Sequence, residues 1–308
     1  MEIRFLNKDV ITAIRQISPD LDVNTNEMMS RHTTFKTGGP ASLFIRPSDL
    51  DQLKSVVALL RRAETPFFVL GNGSNLLVSD KGYDGAIIST EKLIDIRLQD
   101  DTHIYAEAGA MNSRIAAFAR DNSLTGFEFA AGIPGTIGGA MIMNAGAYDG
   151  EMKLVTKEVR ALSPQGEIIR LDNQALRFDY RSSALKGKDF IVVSALLELE
   201  KGDKDQITDR MQELALKRKE KQPLEFPSAG STFKRPEGYF AGKLIEDAGL
   251  RGYTVGGAMV SDKHCGFVIN KGEATSQDIY KLICDVQKKV YDDFGVKLEP
   301  EVIMLGKF

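Results

Sequence analysis

The stretch AAGIPGTIGGAMIMNAGA, residues 130–147, holds no charged side chain and is crowded with Gly and Ala. Glycine reaches positive φ without steric cost and lets main-chain N–H groups come close to a ligand. A run of such N–H groups makes a concave cradle for an anion. The competing readings are a buried apolar turn and a membrane span. The span is disfavoured, because Pro134, Asn144 and the clustered glycines break a run already short of the ~20 apolar residues needed to cross a bilayer. The stretch therefore reads as a phosphate or cofactor cradle, with the buried turn as its alternative.

Working outward, a second glycine loop lies upstream. Leu50, Leu53, Val57 and Leu60 mark one face of an amphipathic helix that Ser48 or Asp49 can cap. Residues 67–70 read as a buried strand running straight into GNGSN, Gly71, Asn72, Gly73, Ser74 and Asn75. A glycine loop after a strand in a β-α-β start is where a nucleotide often sits. The dinucleotide fingerprint is incomplete, since Leu76 stands at the third-glycine position and the apolar run LLV follows in place of a helix. No GxxxxGK[ST] occurs either. A bare hairpin turn stays open as the other reading of GNGSN.

The remaining chain alternates short strands with few helices. Weak helical periodicity covers 7–17, and strands are expected at 42–45, 86–89, 94–98 and 103–107. A helix at 111–122 turns Ile115 and Phe118 inward, and strands follow at 155–162, 167–171 and 190–198. The composition then changes to a highly charged helix at 205–221 with Ile207, Met211 and Leu214 as its apolar stripe, which places a boundary near Lys201. A strong helix at 276–293, capped by Thr275 or Ser276, precedes a final strand at 298–305. The expected architecture is α+β with at least two domains.

Lys and Arg number 40 against 43 Asp and Glu, for a net charge of −3, so nothing suggests a nucleic-acid partner. Cys265 and Cys284 have no metal-type spacing, and His32, His103 and His264 are scattered without an HExxH, so no metal site is expected. The first residues, MEIRFLNKDV, lack the plan of a signal peptide, no membrane span is visible, and the chain reads as cytoplasmic. No obligate protein partner is evident.

Three further places combine polar groups with enforced turns. Tyr180 and Arg181 lie in RFDYRSS, where an exposed strand-end Arg is the plainer reading. Ser231 follows Ala229-Gly230 and precedes Lys234 and Arg235, where a turn Ser is the plainer reading. In KLEPEV, Pro300 restricts Glu299 to an extended shape, and in a short strand Glu299 and Glu301 point the same way.

Taken in order, TTFKTGGPA, FVLGNGSNLLV, AAGIPGTIGGAMIMNAGAY, YRSSAL, GSTFKRP, LIEDAGLRG, VSDKHCGFVIN and LEPEV resemble the UDP-N-acetylenolpyruvoylglucosamine reductase (UDP-N-acetylmuramate dehydrogenase) family. The resemblance runs from about His32 to Gly306; each motif alone is weak, and the eight in order are specific. The compact link after Tyr180 is similar to the shorter, type II-like branch. The resemblance implies an FAD-binding domain of the vanillyl-alcohol-oxidase (PCMH) type in two subdomains, 1–90 and 91–201, and a C-terminal α+β UDP-sugar domain, 202–297. Whether the strand at 298–308 returns to the first subdomain is left open.

By the same resemblance FAD, held non-covalently, contacts Gly71 to Asn75 and Gly132, Pro134, Gly135, Gly138, Gly139 and Asn144. Arg181, Ser231 and Glu301 match the family's catalytic positions, and NADPH is the co-substrate. A hydride passes through flavin N5 to C3 of the enolpyruvyl ether of UDP-N-acetylglucosamine-enolpyruvate. Arg181 holds the substrate carboxylate, a protonated Glu301 donates to it, and Ser231 protonates C2. Tyr180, Lys221, Lys234 and Arg235 are the implied substrate contacts. Arg235 departs from the family form that has Asn before the Pro. His264 reads as a packed, hydrogen-bonded residue and is given no role. The alternatives carried are an FAD-dependent sugar or alcohol oxidase of the same fold and a non-catalytic UDP-sugar-binding protein.

Overall fold

The computed structural model describes residues 8–308. Its first sheet has the order Asp22–Met28, Pro40–Arg46, Tyr83–Ser89, Phe67–Leu70. The first pair is antiparallel and the others are parallel. The Leu50–Arg62 helix makes the crossover and buries Leu53, Val56, Val57 and Leu60 against that sheet. Asp49 caps it by accepting the Gln52 amide at 2.8 Å. Residue 7, the start of the expected first helix, lies outside the described residues; the described helix is Lys8–Arg15.

The second sheet is antiparallel throughout, in the order Ile168–Asp172, Thr156–Leu162, Ile191–Glu198, His103–Glu107, Ile96–Leu98. The glycine-rich stretch lies against it. It begins in the short turn Glu128–Ala130, crosses a loop and forms the helix Ile137–Met143. Asn144, at φ 42°, ends that helix in the left-handed conformation that Asn tolerates better than most residues.

The third sheet, Ser228–Ser231, Phe267–Asn270, Ala258–Val260, Thr254–Val255, packs beneath the helices Ala241–Asp247 and Ser276–Phe294. The longer helix starts with a reciprocal capping box between Thr275 and Asp278. Phe35 and Leu77, from the first sheet's surroundings, are fully buried in this third core. Asp80 also accepts the amides of Ser276 and Gln277 at 2.9 and 2.8 Å, so a loop of the N-terminal part caps a helix of the C-terminal part.

The expected strand at 298–305 is corrected to Ile303–Leu305, which pairs in parallel with Leu76–Val78. Pro300 has no N–H to offer a ladder, and its neighbourhood makes only an isolated bridge with Phe233. The strand expected at 94–98 likewise shortens to Ile96–Leu98. Among the described residues no helix is long and apolar enough to cross a membrane.

Candidate active site

Asp179 and Ser182 exchange two backbone hydrogen bonds of 3.1 Å, closing a tight turn on Tyr180 and Arg181. Arg181 occupies the turn position with φ 52°, where Gly or Asn is the usual residue. A non-glycine residue in that region carries strain and persists only where its surroundings hold it. Here they do. Asn144 Nδ2 donates to the Asp179 carbonyl at 3.2 Å, Ser183 Oγ to the Ile142 carbonyl at 2.9 Å, and Lys186 Nζ to the Arg181 carbonyl at 2.7 Å. The glycine-rich helix and the Arg181 turn are thus joined directly.

Ser231 ends its strand just after a bulge. Ser228 pairs with Ile269 but Ser231 with Phe267, so three steps on one strand face two on the other. Gly230, at φ 75°, supplies the left-handed residue the irregularity needs. Ser231 is exposed beside the bulge, and the next residue, Thr232, accepts the Glu301 amide on its carbonyl at 2.8 Å.

Glu301 Oε1 lies 2.8 Å from Arg181 Nε, a charge contact without the alignment of a hydrogen bond. Burial pushes the Glu301 carboxyl above its ordinary pKa, and the Arg181 charge opposes this without overcoming it. Glu299, two residues away, is different in kind: its side chain is 63% exposed, against 13% for Glu301, and pairs with Lys234 at 2.9 Å.

A cavity of about 370 Å³ is lined by Arg181, Ser231, Glu301, Tyr180 and Arg235 together. Arg235 has no carboxylate partner among the described residues; its guanidinium lies 4.0 Å over the Phe240 ring, and its amide donates to Tyr180 Oη at 3.2 Å. Lys243, Arg251, Lys263 and His264 also line the cavity, and the sequence reading assigned none of them a role. The His264 Nδ1 accepts the Gly266 amide at 3.0 Å, and burial pushes the ring toward its neutral form. Lys234 and Lys221, both expected near substrate, do not line this cavity: Lys234 is held by Glu299, and Lys221 is exposed at its helix end.

The two glycine stretches meet. A Cβ on Gly71 would collide with Thr136 Oγ1, and one on Gly73 with the His32 carbonyl. None of the amides from Gly71 to Asn75 donates a hydrogen bond within the described residues, which leaves a run of free N–H groups for an anion. In the other stretch the Ile137 and Gly138 amides are already bound to the Ala110 and Ala108 carbonyls at 2.9 Å. Gly138 is needed there for close packing, since a Cβ would come within 2.9 Å of Ala108. The GNGSN loop thus offers an unbroken run of free amides, whereas the other stretch spends those of Ile137 and Gly138 inside the fold.

A second cavity, of about 420 Å³, opens beside this loop between Gly71, Asn72 and Thr136, and Arg31, Lys36 and Arg114 supply cations at its walls. Asn112 is fully buried nearby, and neither its Nδ2 nor its Oδ1 has a partner. A Cβ on Gly135 would stand 3.2 Å from Ser74 Oγ and 3.8 Å from Asn112 Nδ2, in the space those groups face. Free amides, unpaired amide groups and nearby cations fit a flavin dinucleotide, which carries phosphates and a ring edge rich in donors and acceptors. Gly132 packs under Arg218, whose Cδ would be 3.1 Å from an added Cβ, and Pro134 lies in the connecting loop beside it. The Asn144 side chain is engaged within the protein, donating to Glu151 at 3.0 Å and to Asp179 and accepting the Lys153 amide at 2.9 Å.

Asn75 connects the two regions. Its Nδ2 donates to the Glu301 carbonyl at 3.1 Å, and its own carbonyl accepts the Ile303 amide at 3.0 Å. Lys186, Asn112 and the cations Arg31, Lys36 and Arg114 had escaped the sequence reading. Lys186 lies only five residues from Arg181, and a short turn keeps such neighbours close; Asn112 was detectable only as a polar residue at the start of a helix with an apolar face.

Residues 41–172 match an FAD-binding domain family, and residues 222–305 match the C-terminal domain of UDP-N-acetylenolpyruvoylglucosamine reductase. A UDP-N-acetylenolpyruvoylglucosamine reductase of Caldanaerobacter subterraneus subsp. tengcongensis is 51% identical, covering 97% of this chain and 98% of that protein. One from Clostridioides difficile is 47% identical over 98% of this chain and 99% of its own. The crystal structure of UDP-N-acetylenolpyruvylglucosamine reductase from Thermus caldophilus superposes with a TM-score of 0.80 at 33% identity, over 93% of this chain and 100% of that one. Agreement from end to end in sequence, and in fold with a solved relative, leaves one conclusion: this chain belongs to the UDP-N-acetylenolpyruvoylglucosamine reductase family.

Proposed function

We propose that this FAD-dependent oxidoreductase uses NADPH to reduce the enolpyruvyl ether of UDP-N-acetylglucosamine-enolpyruvate to UDP-N-acetylmuramate, a step of peptidoglycan synthesis. The observation that carries the reading is the single cavity lined by Arg181, Ser231 and Glu301. Bound FAD supplies the chemistry of accepting a hydride from NADPH and delivering it to C3 of the substrate double bond. The protein's own groups manage the charge that delivery creates. Arg181 faces the substrate carboxylate, onto which negative charge spreads from C2, and offers a charge-assisted contact that strengthens as the charge grows. Glu301, kept toward its neutral form by burial, donates a hydrogen bond to the same carboxylate. The exposed Ser231 hydroxyl, turned into the cavity by the Gly230 bulge, gives its proton to C2. A hydroxyl is a weak acid, but carbanion-like carbon is a strong base, so the transfer is feasible. One hydride at C3 and one proton at C2 complete the saturated lactyl ether, and solvent restores the Ser231 proton.

Tyr180 and Arg235 form the wall on the nucleotide side, where Arg235, free of a carboxylate, suits a diphosphate. We retain Lys221 and Lys234 as proposed contacts at the cavity's approaches. The test is an anaerobic mixture of the holoprotein and NADPH, followed by the enolpyruvyl sugar nucleotide. The yellow colour should bleach on the first addition and return on the second. Colour that stays bleached after the second addition overturns the reading.

A further inference from the structure

Lys186 is a half-buried lysine with no catalytic or binding assignment. Its ammonium pairs with no carboxylate among the described residues; the partner it has is the Arg181 carbonyl at 2.7 Å. Burial and the charges of Lys234 and Arg181 all disfavour an ammonium at this place, and only Glu301 favours it, without overcoming them. A cation kept where its surroundings oppose it calls for a task. The carbonyl it grips belongs to the one residue of the Asp179–Ser182 turn whose φ is positive. That carbonyl lies directly after the strained torsion, so a donor fixed on it holds the peptide plane that sets where the guanidinium leaves the backbone. Asn144 and Ser183 anchor the two ends of the same turn; Lys186 anchors its strained centre.

We propose that Lys186 is a positioning residue for the reduction, clamping the Arg181 carbonyl so that Arg181 keeps its left-handed conformation and presents its guanidinium beside Glu301. The inference rests on the catalytic reading of Arg181 above. Misplacing a charge-stabilising group by about 1 Å can cost on the order of a hundredfold in rate, and the loss should fall only on the half-reaction in which Arg181 meets substrate.

The experiment compares Lys186→Met and Lys186→Arg holoproteins by stopped-flow, reading flavin reduction by NADPH and reoxidation by the enolpyruvyl sugar nucleotide separately. Reduction should be unchanged in both. The limiting rate of reoxidation should fall about tenfold to a hundredfold in Lys186→Met and recover most of the way in Lys186→Arg, which keeps a cationic donor. Wild-type reoxidation in Lys186→Met, or a Lys186→Arg protein as slow as Lys186→Met, overturns the proposal. Should Lys186→Met fold poorly, thermal melting of an Arg181→Gly background decides. Glycine adopts the turn without strain, so adding Lys186→Met there should lower Tm no further, and an undiminished loss counts against the clamp. A wild-type protein that bleaches with NADPH but never recovers with substrate is a different failure, that of the catalytic reading itself.

Discussion

In the proposed mechanism Ser231 and Glu301 do different work, and single substitutions should separate them. Ser231→Ala should leave flavin reduction by NADPH intact and slow reoxidation by substrate on the order of 10²- to 10⁴-fold, the usual range for a lost general acid. Equal rates in both half-reactions would remove Ser231 from the proton path. In that mechanism Glu301 acts as a donor only while protonated. Because its folded pKa is raised by burial, reoxidation should be fastest below that pKa and decline as pH rises through it. Glu301→Gln keeps a donor that does not titrate, so its pH–rate profile should lose that alkaline limb. Neither role was legible in Glu301 alone. KLEPEV presented two glutamates on equal terms, and only folding placed one beside Arg181 and the other in solvent with Lys234. The resemblance to a family singled out Arg181, Ser231 and Glu301; the residues themselves left the plainer readings open, because spacing along a chain does not report convergence in space.

Among the elements, the Gly230 bulge and the Gly135 loop make the clearest demands. An added Cβ at Gly230 meets nothing within 4 Å, so Gly230→Ala acts through its positive φ alone. It should lower stability by about 1–2 kcal/mol and slow reoxidation, with flavin content unchanged, as read by chemical denaturation and stopped-flow. Gly135→Val should do the opposite: it fills the space before Ser74 and Asn112, so the protein should retain less FAD, measured as the flavin-to-protein absorbance ratio after dialysis. Regular elements were the most legible part of the chain. The Leu50–Arg62 and Ser276–Phe294 helices follow from apolar spacing and from caps at Asp49 and Thr275. The end of the chain was less so, because Pro300 stops a ladder that the surrounding apolar residues otherwise suggest. The Ser231 bulge had no sequence signal beyond Gly230, since a bulge is set by the register of a partner strand remote in the chain.

Across the whole molecule, the site is assembled from segments far apart in sequence. Arg181 comes from the turn tied to the glycine-rich helix, Ser231 from the third sheet, and Glu301 from the segment that leads into the strand paired with Leu76–Val78. We propose the divisions 1–90, 91–201 and 202–297 as its units, with Phe35 and Leu77 in the C-terminal core and Asp80 capping the Ser276–Phe294 helix. Composition and periodicity gave the α+β class, but not these crossings, which depend on contacts between residues some two hundred positions apart. Asn75→Ala should accordingly weaken two properties at once, FAD retention and the limiting rate of reoxidation, whereas a purely local loop change would affect only the first.

Asn75 also makes the cofactor a partner in folding. The last residue of the loop holds the Glu301 carbonyl and the Ile303 amide, so whatever quiets the loop quiets that segment too. Stripping the flavin should therefore speed deuterium uptake at Ile303 ahead of the strands of the three larger sheets, and readdition should slow it again. Loading the flavin would then steady the segment that carries the Glu301 carboxyl, and unloaded protein would hold that carboxyl less firmly for the sugar nucleotide.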